Sequence, residues 1–291
     1  DPWIGKIKPN TAPTLLFATD TPNGINTSTI FLPAQPTFKI IYSDQDNDAP
    51  KVISVTVNST TYPMSLTGSP TYASGTVYSF NVPTGTFAKG NYSFYFEASD
   101  GHVTTTLASP PSQGGVGGGL PSFAVRNTPT IIIPGILGSE QKNGVWVMDP
   151  ILHTYDNLLD TFRANGFTDG LDLFPFPYDW HQSNVLTGFQ LHQKIDEVKV
   201  ICQCGKVNLV AHSMGGLASR QYIQSDYYEN DVDQMIFLGT PHLGAPESYL
   251  TWEGGELGKG VMNLLKEFVF SREAKKYGYY DIYDYVRNYV I

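Results

Sequence analysis

The stretch Lys206-Val207-Asn208-Leu209-Val210-Ala211-His212-Ser213-Met214-Gly215-Gly216 leaves this chain few ways to fold. Its apolar, β-branched run breaks at Ser213 and resumes as a helical pattern over Leu217-Ala218-Ser219-Arg220-Gln221-Tyr222-Ile223, which predicts a buried strand, a sharp turn and a helix. Such an elbow holds its serine in a strained turn that pushes the hydroxyl clear of the backbone, so the flanking positions must be small for strand and helix to approach. Ala211 and Gly215 meet that need. A helix-capping serine would account for a bare five-residue match. The strand before, the glycine pair after and the helix beyond favour a nucleophile.

The chain has 291 residues and changes character between its halves, which predicts two domains. A net charge of −9 with 18 Lys+Arg offers no basic stripe for phosphates, so nucleic acid and anionic membranes are set aside as partners. Apolar runs such as Thr130-Ile131-Ile132-Ile133 fall far short of the roughly 20 residues that cross a bilayer, and no transmembrane segment is expected. Charged residues make up only 15%, a balance that suits an extracellular or cell-surface protein. The start at Asp1-Pro2-Trp3, with neither methionine nor an apolar signal core, reads as a processed or excised beginning. Cys202 and Cys204 read as too close for an unstrained bridge and too few for structural zinc, and are expected as thiols.

Residues 1–108 show short alternating segments at 36–42, 51–57, 77–82 and 91–96 with no amphipathic helix, which predicts an immunoglobulin-like β-sandwich. No Cys…Trp…Cys signature marks an antibody-type domain. The loop Asp44-Gln45-Asp46-Asn47-Asp48-Ala49-Pro50 clusters hard oxygen ligands, with Asp100 further on, so calcium on Asp44, Asp46 and Asp48 is a candidate beside an ordinary solvated turn. The segment resembles the calcium-binding linkers of cadherin repeats, and the sandwich resembles bacterial surface repeats. Residues 109–128 read as a Gly/Pro-rich linker.

Over 129–291 strands alternate with helical patterns, which predicts a mostly parallel sheet with helices on both faces. Strands are expected at 130–134, 172–176, 206–211 and 234–239, and helices at 156–162, 189–201 and 257–272. Four stretches then carry a resemblance: Ile133-Pro134-Gly135-Ile136-Leu137-Gly138-Ser139, Pro177-Tyr178-Asp179-Trp180, the serine elbow, and Gly239-Thr240-Pro241-His242-Leu243-Gly244-Ala245-Pro246. In order and spacing they resemble an α/β-hydrolase of the lecithin:cholesterol acyltransferase-like lipase group; several lipase families also have alanine at the first small elbow position.

The resemblance implies a serine carboxylic-ester hydrolase, a lipase or acyltransferase needing no cofactor, with a lipid or other ester as substrate and contact with a lipid interface or cell surface. Ser213 would be the nucleophile, and the backbone N–H groups of Met214 and Ile136 the oxyanion donors. In this fold the triad runs serine, acid, histidine along the chain. His212 diverges from Ser213 at the turn, His242 belongs to the fourth motif, and residues 250–291 resemble the beginning of a lid. The acid and histidine are therefore expected beyond Ile291, leaving the hydrolase C-terminally incomplete and the 291 residues inactive alone. Tyr178-Asp179-Trp180 is expected to be structural. The rival reading is a non-catalytic surface-binding protein with a degenerate hydrolase module.

Overall fold

The computed structural model describes residues 9–108, 120–149, 153–257 and 261–289, with backbone alone at 247 and 261–265. The chain divides into two compact units, Asp1–Asn127 and Thr128–Ile291.

The first unit is built from β1 (Thr14–Phe17), β2 (Thr29–Phe31), β3 (Thr37–Ser43), β4 (Val52–Val57), β5 (Thr60–Pro63), β6 (Ser65–Thr67), β7 (Thr76–Asn81), β8 (Gly90–Ser99), β9 (Thr104–Leu107) and β10 (Ser122–Arg126). One sheet runs β1-β3-β7-β6 and the other β2-β10-β8-β4-β5, with β9 also on β8. Among the described residues of this unit only the β2–β10 pair is parallel. Alternation along β3 and β8 sends Phe38, Ile40 and Tyr42, and Phe94, Phe96 and Ala98, into one core. There Phe38 meets Phe94 edge to face at 5.0 Å, an arrangement worth about 0.5–1.5 kcal/mol beyond the area it buries.

The four strands expected in this half are present as β3, β4, β7 and β8. The linker boundary needs correction. Residues 109–119 lie outside the described residues, but Ser122–Arg126 is a strand between β2 and β8 with Phe123 and Val125 buried in the sandwich core. Glycine and proline end the linker signal by Pro121; beyond it Phe123 and Val125 alternate with smaller or polar residues as a sheet strand requires.

The second unit comprises β11 (Thr130–Ile133), β12 (Ser139–Lys142), β13 (Val145–Met148), α1 (Asp156–Ala164), β14 (Leu173–Pro175), α2 (Asn184–Cys202), β15 (Val207–His212), α3 (Met214–Ile223), β16 (Val232–Leu238), α4 (Pro246–Gly254), α5 (Val261–Lys276) and α6 (Ile282–Asn288). Its main sheet has the order β14-β11-β15-β16, parallel throughout. Parallel strands covered on both faces must be apolar on both sides, and β11 is buried at every position. Ile131, Ile133, Leu209 and Ala211 share a cluster with Leu191, Ile195 and Val198 of α2. The alternate residues Ile132, Leu173 and Val210 cluster with Leu159 of α1. Helices thus lie on both faces, as the alternation of patterns predicted.

Among the described residues β16 is an edge, with Ile236 and Phe237 46% and 40% exposed. The expectation of free thiols is overturned: Cys202 and Cys204 form a disulfide. Gln203 caps α2 in the left-handed conformation with φ 54°. That reversal brings the two Cα atoms to 5.2 Å, within the range a disulfide spans.

Candidate active site

Strand β15 delivers the chain to Ser213 at the point where β11 and β16 flank it. Ser213 has φ 51° and ψ −121°, a conformation that costs a non-glycine residue on the order of 1–3 kcal/mol and persists only where surroundings enforce it. Its N–H donates to Leu238 O of β16 at 2.9 Å, and its carbonyl accepts Gly216 N–H at 3.0 Å. The side chain makes no capping hydrogen bond to α3. A capping role therefore does not explain this serine.

The small residues act as predicted, and their neighbours say why. A Cβ on Gly215 would lie 2.3 Å from Pro134 O and 2.7 Å from Ile133 O, so the first turn of α3 sits directly on the end of β11. A Cβ on Gly216 would lie 1.9 Å from Thr240 Oγ1, in the loop after β16. Backbone and a short, half-buried threonine side chain leave no space, and glycine is the residue that fits both places. Ala211 is fully buried in the strand.

On the other side of the serine runs the turn Pro134–Gly138, closed by Gly138 N–H donating to Gly135 O at 3.0 Å. A Cβ on Gly135 would stand 2.8 Å from Ser213 Cβ and 3.1 Å from His212 Nδ1. Ile136 follows this contact in the same turn and is exposed. Met214 supplies the first amide of α3, one of the N-terminal donors left without an intrahelical carbonyl. It also lies at the positive end of the helix dipole. Of the two amides expected as oxyanion donors, that of Met214 directly follows Ser213, and that of Ile136 belongs to the residue after Gly135.

The turn is held from two directions. Tyr178 Oη donates to Pro134 O at 2.9 Å, and Gly135 N–H donates to Tyr155 Oη at 2.8 Å. Tyr155 Oη in turn lies 2.6 Å from His212 Nδ1. Burial holds His212 below its ordinary imidazole range. The Tyr178-Asp179-Trp180 stretch is structural as expected: Trp180 Nε1 donates to Ser139 O at 3.1 Å, and Asp179 accepts from His181 and Gln182.

Among the described residues no imidazole or carboxylate hydrogen-bonds the Ser213 hydroxyl. His212 is turned to Tyr155, and His242 is exposed with its ring 4.6 Å from that of Phe237. Tyr155 was missed by sequence reasoning, since it belongs to none of the four motifs.

In the sandwich, Asp44 is 1% exposed and its Oδ1 accepts the N–H groups of Asp46 at 2.8 Å and Asp48 at 3.3 Å. Asp46 Oδ2 accepts Thr11 N–H at 2.6 Å, and Asp48 is exposed. These bonds make Asp44 a cap of its own loop. The three carboxylates do not converge as one ligand group; among the described residues that geometry occurs at His192, Asp196 and Glu229, where Lys199 already pairs with both acids.

Residues 146–276 match the family described as lecithin:cholesterol acyltransferase. Lecithin-cholesterol acyltransferase-like 4 of Arabidopsis thaliana is 39% identical over 90 residues, covering 30% of this chain and 17% of that protein. Phospholipase A(1) LCAT3 of the same plant is 30% identical over 100 residues, covering 33% and 22%. The chain thus spans about a fifth of the length of these curated relatives. The lipase BlEst2 of Bacillus licheniformis in mature form is 19% identical, with a TM-score of 0.37 and coverage of 55% of this chain and 54% of that one, a likeness too low to bear on the argument. The second unit is an α/β layer whose residues 146–276 are similar in sequence to this acyltransferase family.

Proposed function

We propose that the second unit is the nucleophile-bearing part of a serine carboxylic-ester hydrolase, a lipase or acyltransferase acting on lipid esters. The observation that carries this reading is Ser213 held at φ 51° between a buried strand and α3, with its side chain uncommitted to the helix. Its Oγ would attack the ester carbonyl, the N–H groups of Met214 and Ile136 would bind the oxyanion, and the resulting acyl-enzyme would pass to water or an alcohol. One oxyanion donor is typically worth about 2.7–4 kcal/mol of transition-state stabilisation. The proton of Ser213 would go to a histidine oriented by an acid, both supplied from beyond Ile291; the support is that neither contacts the hydroxyl among the described residues. The names of the relatives, an acyltransferase-like protein and a phospholipase A(1), support a lipid ester as substrate. Covalent capture tests the reading: in a form extended beyond Ile291, an active-site phosphonate should attach to Ser213 and to no other serine.

That no base meets Ser213 among the described residues is also what favours the rival, a surface-binding protein with a degenerate hydrolase module. Failure of any form of the protein to label would select it.

For the first unit, the two-sheet sandwich supports an immunoglobulin-like domain that displays or positions the hydrolase. The Cys202–Cys204 disulfide supports an extracellular or cell-surface setting. A calcium ion at Asp44, Asp46 and Asp48 would require the loop to draw the three carboxylates together, and it has one observation in its favour: Asp44 Oδ2 is buried without a hydrogen-bond partner among the described residues. A carboxylate oxygen in that state is costly unless a cation meets it. Calcium at a hundredfold excess over Kd would add about 2.7 kcal/mol of stability. The expected result is a lower melting temperature for the 291-residue protein in chelator, restored by added calcium. Superimposable melting curves would leave Asp44 as a loop cap alone.

A further inference from the structure

Tyr155 joins two pieces of backbone that the proposed reaction must hold in register, the turn after β11 and the elbow. Its hydroxyl oxygen accepts Gly135 N–H at 2.8 Å, and His212 Nδ1 lies 2.6 Å away. With the oxygen already accepting an amide proton, the phenolic proton is the one directed at the imidazole. His212 Nδ1 is then an acceptor, and the ring carries its own proton on Nε2, a tautomer assigned from this network. Burial agrees on both counts: it holds His212 low, so the ring is neutral, and pushes Tyr155 up to about 12, so the phenol keeps its proton.

The tyrosine is itself firmly placed. It is 5% exposed, and the buried Asp149 carboxylate accepts the N–H groups of Thr154 and Tyr155 ahead of α1. A Cβ on Gly138 would come within 3.0 Å of its ring, so the ring also fills the inside of the turn. The hydroxyl therefore fixes both the height of the turn and its distance from the elbow.

We propose that Tyr155 is a positioning residue of the oxyanion site: by occupying the Gly135 amide and tying it to His212, it leaves the next amide, that of Ile136, as the one presented to the substrate oxygen. The proposal rests on the nucleophile reading of Ser213. It assigns a role to a side chain that never touches substrate, and it explains why His212, beside the nucleophile, is unavailable as a base: its Nδ1 is engaged by Tyr155, and its Nε2 carries the ring proton. A misplacement of about 1 Å in such a site can cost roughly 100-fold in rate.

Two measurements separate this from a packing role. In the 291-residue protein, imidazole ¹⁵N spectra at pH 7 should show His212 protonated on Nε2 with Nδ1 as acceptor. Tyr155→Phe, which keeps the ring, should weaken that acceptor signature and speed hydrogen exchange at the Gly135 amide at least about tenfold. An Nδ1–H tautomer in the unaltered protein overturns the proposal without any variant. In a form extended beyond Ile291, Tyr155→Phe should slow phosphonate labelling of Ser213 by roughly 10- to 100-fold, with apparent affinity for the phosphonate changed less than about twofold. Faster exchange at the Gly135 amide with an unchanged labelling rate would make Tyr155 a packing residue and overturn its positioning role. Labelling that survives Ser213→Ala would instead overturn the nucleophile reading, and the positioning role with it, while the spectra still report the tautomer.

Discussion

Ser213→Ala is expected to abolish phosphonate labelling and to lower ester turnover by a factor on the order of 10⁶ in a form of the protein extended beyond Ile291. Loss of the only oxygen that can form the acyl-enzyme removes the covalent path, and what remains is binding at the oxyanion donors. The same substitution should leave the melting temperature within a few degrees. An N-cap serine replaced by alanine costs about 0.5–2 kcal/mol, but Ser213 makes no capping bond that alanine would break. Its backbone bonds to Leu238 and Gly216 are retained by any residue that tolerates φ 51°. Loss of reaction with retention of fold separates a nucleophile from a cap. Labelling at full rate in the alanine variant would falsify the assignment.

The parts of this fold that were legible in the sequence are those where one face or both faces of an element must be buried. Strands β3 and β8 alternate because each packs one side into the sandwich, and β11 is buried at every position, with Val207, Leu209, Val210 and Ala211 buried in β15, because helices cover both sides. The elbow was legible because its glycines have no room for a side chain, Gly215 against the backbone atoms Pro134 O and Ile133 O and Gly216 against the side chain of Thr240. By contrast β10 was absorbed into the linker, since glycine-rich composition was extended over a strand that follows it directly. The β12–β13 hairpin also went unread, although Asn143-Gly144, with φ 52° and 81°, is the pair a two-residue hairpin turn demands.

What periodicity could not supply is side-chain chemistry across long sequence separations. Tyr155 sits just before α1 and resembles any residue of a helix entry; its value comes from Gly135, 20 residues earlier, and His212, 57 residues later. The disulfide was unreadable for a related reason. Spacing alone argued against it, and the left-handed turn at Gln203 that permits it is a property of the helix end rather than of the cysteines.

The 291-residue chain should turn over nitrophenyl esters at less than about one-thousandth of the rate of an extended form, because a serine without its base stays a weak nucleophile. Oxyanion binding alone leaves some 10³–10⁴-fold catalysis over water, which is a remnant beside an intact triad. His242→Ala should leave that remnant unchanged: the imidazole is exposed, packs on Phe237, and does not hydrogen-bond Ser213. The edge strand gives the same comparison a second readout. Ile236 and Phe237 on β16 are exposed among the described residues, and an apolar edge of that kind pairs readily with another chain. On the proposed reading, an extended form in which added strands cover β16 should melt higher than the 291-residue chain and self-associate less. The pairing of the two effects matters, since added strands that restore solubility without activity would mean that the missing base does not come with them. Full turnover by the 291 residues, lost on His242→Ala, would instead place the base on the loop after β16 and complete the triad within this chain.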